Sequence, residues 1–260
     1  MRLGERILAF FVFIRGGKSV ISGDIMNHEK FAKTFGTPGQ SPRVLGPLRV
    51  FWPLAPICLI AGWLLHAALP FPKLSTSAAG IFLILLAGAF ALFTAWSAKR
   101  LRSFIKGAEG EETVARALSF LPSSCTVFND VQFAAGVSFD HIVVAPAGVF
   151  VVETKNWSGE ITFQSGQVLC NGRAPSRPPL AQVKEAAAAL EEFLSSANCA
   201  APVRPVICFV GNGVGDDNIG GVRICNETTL AGVFENTLEE PLPAGTLGMI
   251  AGELVRCMEK

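Results

Sequence analysis

Residues 139–161, FDHIVVAPAGVFVVETKNWSGEI, constrain the fold more than any other part of the chain. Two strongly apolar runs, 139–144 and 149–155, flank Ala145-Pro146-Ala147-Gly148, where Pro and Gly mark a tight turn. The pattern predicts a β-hairpin. With Pro146 and Ala147 at the turn centre, Ala145 pairs with Gly148 and position 140 falls opposite 153. Strand alternation then puts Glu153 and Lys155 on the face shared by Val149 and Val151. Two carboxylates, Asp140 and Glu153, thus converge with one ammonium on a largely apolar surface.

Opposed carboxylates in a half-buried sheet repel each other and resist desolvation. A divalent cation relieves both problems, and Mg²⁺ takes one or two carboxylates together with water and phosphate. Lys155 beside them is placed to hold an attacking water or a phosphate oxygen. The set fits metal-assisted phosphodiester hydrolysis. E-x-K alone is a weak signal and by itself reads more readily as an ordinary Glu–Lys pair on a solvated face. The Asp in matching register is what sharpens it. A further acid adds weight: in 109–121, read as a helix, Glu111 lies on the stripe of Val114, Ala115 and Leu118 and points toward the sheet. Glu109 and Glu112 face solvent, near the positive end of the helix dipole.

Other polar groups have plainer readings. Gln182 opens an Ala-rich helix over 180–194, after Pro178-Pro179, and either orients phosphate or water or is a solvated helix-start glutamine. His141 points away from Asp140 and reads as a hydrogen-bonded packing histidine. Asn156 and Trp157 either reach substrate or stabilise the turn to Gly159. Gly211-Asn212-Gly213-Val214-Gly215 lacks the Lys-Ser/Thr of a phosphate loop and reads as a flexible loop.

The rest of 106–260 reads as α/β. Strands are expected at 127–133, 160–163, 203–210 and 222–225, and helices near 228–238 and 246–258, giving a mixed sheet flanked by helices. The first hundred residues differ. The runs 51–69 and 78–98 contain no Asp, Glu, Lys or Arg, and about 20 such residues match the ~30 Å hydrocarbon layer. They are expected to form a two-helix transmembrane hairpin, with the lipid bilayer as a partner. Basic residues precede the first run and follow the second (Lys99, Arg100, Arg102, Lys106), which places both termini in the cytoplasm. The short apolar run 7–14 does not predict a cleavable signal peptide. The expected division is a basic cytoplasmic segment over 1–50, flexible in its Gly- and Pro-rich part from 15, the hairpin over 51–98, and a cytoplasmic domain over 99–260.

Charge follows this division. Residues 1–50 carry a net +5, whereas 99–260 carry −5, so net charge gives no case for a nucleic-acid partner. Seven scattered cysteines, odd in number and without a C-x-x-C pair, fit a reducing compartment and neither a disulfide framework nor a zinc site.

Taken in order, G-A-E-G-E-E at 107–112, F-D-H-I-V-V at 139–144, G-V-F-V-V-E-T-K-N at 148–156, W-S-G-E-I, and P-P-L-A-Q at 178–182 resemble the nuclease-related domain (NERD) over about 106–210. That family is similar to the PD-(D/E)XK restriction-endonuclease-like nucleases. The resemblance implies an αβββαβ core, Asp140 and Glu153 as metal ligands, Glu111 as an additional acidic ligand, Lys155 as the catalytic lysine, and Gln182 as the family's glutamine. Phe139 stands where the common Pro-Asp has its proline, but the Asp that carries the chemistry is kept. The function so implied is Mg²⁺- or Mn²⁺-dependent hydrolysis of nucleic acid, with DNA favoured over RNA but the choice left open; the apolar hairpin adds the expectation that it acts at the bacterial cytoplasmic (inner) membrane. The alternative is a non-catalytic, membrane-tethered module binding nucleic acid or protein on the same fold. Oligomeric state stays open.

Overall fold

The computed structural model describes residues 31–52, 76–133, 136–235 and 241–259, with isolated positions between 52 and 76. The elements are β1 (Lys33–Phe35), α1 (Gln40–Phe51), α2 (Thr76–Leu118), β2 (Thr126–Gln132), β3 (Ser138–Ala145), β4 (Gly148–Lys155), β5 (Ile161–Gln164), β6 (Gln167–Cys170), α3 (Pro179–Ser196), β7 (Val203–Phe209), β8 (Asp217–Ile219), β9 (Val222–Asn226), α4 (Leu230–Glu235) and α5 (Ala244–Met258). Seven strands form one mixed sheet in the order β1-β2-β3-β4-β7-β9-β8, while β5 and β6 pair as a separate hairpin. From α2 to β7 the chain runs helix, three antiparallel strands, helix, parallel strand. This is the expected αβββαβ order.

The hairpin register is the one expected, with Ala145 opposite Gly148 and His141 opposite Val152. β4 lies between β3 and β7, and residues 148–154 are all buried. A central strand covered on both faces must be apolar on both, which explains the continuous run rather than alternation. On one face Val149, Val151, Ile142 and Val144 pack with Val183 and Leu190 of α3 and with Ile250 of α5. On the other, Val143, Phe150 and Val152 meet Val114 and Leu118 of α2 and Phe234 of α4. Each such fully buried side chain contributes roughly 1.5–3 kcal/mol, so the hairpin is firmly anchored in the sheet.

β2 and β3 break their alternation at one point. Asp130 has φ 50°, and Phe128 and Val131, three positions apart, pack in the same cluster, as do Phe139 and Ile142 across the ladder. Asp140 lies at this break, opposite Asp130, between the pairs Asn129–His141 and Val131–Phe139.

Two expectations are corrected. Among the described residues no helix is long and apolar enough to cross a membrane. The run 78–98 is not a bounded span: it is part of the 43-residue helix α2, which continues without interruption through Lys99, Arg100, Arg102 and Lys106 to Leu118. The transmembrane hairpin is therefore not supported, and the multi-pass inner-membrane location and the lipid partner drawn from it lose their basis. The first run, 51–69, falls mostly outside the described residues, as do 7–14 and the basic stretch up to residue 30.

Part of the stretch expected to be flexible is ordered. β1 adds to the sheet parallel to β2, and α1 lies along α2, close enough that a Cβ at Gly46 would stand 2.8 Å from the Phe104 ring. Arg43 pairs with Glu112 at 2.5 Å. β6 and β8 also lie where loops were expected. For β6 the missed signal was Ser165-Gly166, both with positive φ, the turn that a two-residue hairpin requires.

Candidate active site

The chemistry-bearing side chains gather at one end of the sheet. Glu153 and Lys155 leave β4 near its C-terminal end, Asp140 enters near the start of β3, Gln182 stands in the first turn of α3, and Glu111 comes from α2. Gly110 lets α2 approach that end closely. A Cβ there would sit 2.6 Å from the Cβ of Asn156, so only glycine allows the helix to bring Glu111 to the strand.

Glu153 is the hub. Lys155 Nζ donates to Glu153 Oε1 at 2.6 Å and to Gln182 Oε1 at 3.1 Å, and Gln182 Nε2 donates to the same Glu153 oxygen. Glu153 is only 5% exposed, so the solvated Glu–Lys pair is excluded. Gln182 is likewise no ordinary solvated glutamine, because its carboxamide joins both ions. Burial makes this triangle geometrically specific: breaking one member leaves a desolvated charge.

Asp140 and Glu111 are held apart from the triangle by backbone donors. Asp140 Oδ2 accepts the Thr154 N–H at 2.8 Å, and Glu111 Oε2 accepts the Gly39 N–H at 3.1 Å. The other oxygen of each of the three carboxylates takes no hydrogen bond from the described residues. Among those residues no three His, Cys, Asp or Glu side chains stand together as a ready metal cluster. The acids are nonetheless near enough to feel one another. Burial, then the charge of Asp130, then Glu153 push the Glu111 carboxyl up to about 7, against the Gly39 N–H and Lys155. Burial first, then Glu153 and Glu111, hold Asp140 well above the usual carboxylate range, opposed by the Thr154 N–H and Lys155. One ammonium does not balance this much negative charge.

Other expected residues settle into structural work. His141 is fully buried, with Nδ1 2.8 Å from Asn129 Oδ1. Burial lowers its imidazole to about 3, so it stays neutral, as the packing reading required. Asn156 donates to the Lys106 carbonyl at 2.8 Å, and Trp157 packs edge-on against Phe209 at 5.8 Å. In the Gly-rich loop Asn212 donates to the Trp157 carbonyl.

Asp130 was not anticipated. Its carboxylate accepts the Ser41 N–H at 2.8 Å and the Ser41 hydroxyl at 2.6 Å. It thereby pins the start of α1 beside Glu111, where Gly39, at φ 69°, presents its N–H. An acid within a run expected to be a strand was the available signal. Its partner Ser41 lies 89 positions away.

Residues 106–210 match the family model of the nuclease-related domain (NERD). A relative, an uncharacterised protein of Bacillus anthracis, is 48% identical over 61 residues, 22% of this chain and 29% of the relative. The chain thus covers under a third of that relative's length. No solved structure matches.

Proposed function

We propose, from the match of residues 106–210 to the nuclease-related domain family model, that the chain is a Mg²⁺- or Mn²⁺-dependent nuclease hydrolysing nucleic-acid phosphodiester bonds. One observation carries the reading: three carboxylates and one ammonium share a half-buried end of the sheet, with two of the acids held well above their usual range by burial and mutual repulsion. Unbalanced negative charge on oxygen ligands is what a hard divalent ion relieves. Asp140 and Glu153, with Glu111, are the residues that would hold it, each with one carboxylate oxygen that receives no hydrogen bond from the described residues. A closed cage is not required, since Mg²⁺ keeps several waters and is held through one or two carboxylates. When bound, the ion supplies positive charge against the negative charge that develops on phosphate.

The chain's own residues do the positioning. Lys155 Nζ has three protons, two of them committed to Glu153 and Gln182, leaving one for a phosphate oxygen or the attacking water. Glu153 fixes the position of the ammonium. Gln182 closes the triangle, so the direction of Nζ is set before substrate arrives.

The test is cleavage of single- and double-stranded DNA and of RNA by the purified full-length chain, with Mg²⁺, Mn²⁺ or chelator. Activity that needs the ion and disappears in Glu153→Ala is expected. Equal cleavage by that variant would trace to a contaminant and sink the reading. A non-catalytic module that binds nucleic acid or protein is the second reading, favoured by the lack of a ready three-residue metal cluster among the described residues. Binding without turnover across several divalent ions would select it.

A further inference from the structure

A cleft of about 170 Å³ opens beside Glu153 and Gln182, walled by Val137 and Ser138 on one side and by Glu185 and Arg177 on the other. Its charge is not balanced for a polyanion. Glu153 and Glu185 contribute two carboxylates, and the Lys155 ammonium beside Glu153 is committed to Glu153 and Gln182. Arg177 is the cationic side chain in the wall. It is exposed and makes no ion pair among the described residues. Glu185 lines the same cleft, yet the two do not pair.

We infer that Arg177 is a phosphate-binding residue that holds a nucleic-acid phosphate at the mouth of this cleft, next to the one presented to Glu153 and Lys155. The inference rests on the nuclease reading above. Two features make the position suitable. A guanidinium offers a planar fork of donors that matches phosphate oxygens two at a time, which an ammonium does not. Its backbone is also restricted, because Arg177 precedes Pro178-Pro179, and a residue before proline is confined to extended conformations; Pro178 itself is extended, at φ −64° and ψ 120°. The side chain therefore projects from a preset base at the entrance to α3, the helix that supplies Gln182. A free cation there offsets the acidic wall that would otherwise repel the substrate.

The experiment is fluorescence anisotropy of a labelled DNA strand and of its duplex, with Ca²⁺ present, over about 50 to 200 mM KCl. Each phosphate contact contributes about 0.7 to the slope of log K against log salt for a single strand and about 0.9 for a duplex. Arg177→Ala is expected to lower the slope by that amount, Arg177→Lys to retain it, and Arg177→Glu to lower it at least as far. In cleavage assays Arg177→Ala should raise KM with kcat nearly unchanged, since a contact present in both ground and transition state is lost. The side chain is exposed, so the variants should melt with the parent. A slope and KM unchanged in Arg177→Ala, with the parent binding and cutting, would overturn the inference and leave the nuclease standing. A parent that neither binds nor cuts overturns both.

Discussion

Asp140 and His141 are neighbours in the chain, both polar, both at the charged end of β3, yet the fold treats them in opposite ways. His141 is fully buried beside Asn129 and kept neutral, with its imidazole lowered to about 3. Asp140 is raised instead, by burial first and then by the charges of Glu153 and Glu111. One group has been made inert by burial, and the other has been left in an unresolved repulsion. Burial alone therefore does not mark function; what marks it is a set of charges that the protein does not itself balance.

The difference can be tested first through acid. A buried imidazole lowered from 6.5 to about 3 cannot take the proton that the unfolded chain accepts. Its share of stability is present above pH 6.5 and is lost as pH falls toward 3, by about 4–5 kcal/mol in the limit. Urea titrations between pH 7 and 4 should show His141→Gln losing less stability on acidification than the parent. Identical pH slopes would mean that the imidazole is not withheld from protons. Cleavage should hardly respond to the same substitution at neutral pH.

Lys155→Ala is the next largest effect, on activity rather than folding. Removing an oriented donor aimed at developing charge costs about 10²–10³-fold in kcat. It also leaves Glu153 buried without its ammonium, so Lys155→Met, which keeps the stem, should be compared by melting temperature. If cleavage by either variant stayed within a few fold of the parent, the lysine would be a structural counter-ion alone.

Glu111 reverses the sign seen for His141. Its carboxyl is raised from 4.5 to about 7, so the folded state holds a proton that the unfolded state gives up. Stability is then present below pH 4.5 and declines as pH rises through 7, by on the order of 2 kcal/mol once its partial exposure is allowed for. Glu111→Gln should be at least as stable as the parent at pH 8 and gain nothing at pH 4. A variant less stable than the parent at pH 8 would show that the Gly39 N–H bond outweighs the repulsion.

The same contrast explains what was legible in the sequence. The hairpin could be read because its turn chemistry, length and apolar runs are local, and register followed from them. The meeting of Lys155 with Glu153 was legible for the same reason. Gln182 could only be suspected, since its partners lie 27 and 29 positions away. β1 and α1 were not legible. Three exposed residues make the one, and the other carries Pro47 and Gly46; what orders them is tertiary, through Asp130 with Ser41 and Arg43 with Glu112. The transmembrane expectation failed for a related reason. Composition over a window of 21 residues does not reveal that the helix runs on into a charged half.

The smallest effect is the most direct measure of the unbalanced acids. A divalent ion that binds only the folded chain stabilises it by RT ln(1 + [L]/Kd), about 1 kcal/mol at five times Kd. Because protons compete for carboxylates raised as Glu111 and Asp140 are, the rise in melting temperature with Mg²⁺ should be larger at pH 8 than at pH 6. Asp140→Asn should abolish most of it while leaving the His141 acid response in place, for the two groups sit in separate environments despite being adjacent. A Mg²⁺ shift that is equal at both pH values and survives in Asp140→Asn would assign the ion to another part of the molecule. The charge imbalance at the end of β4 would then be a feature of folding and not of catalysis.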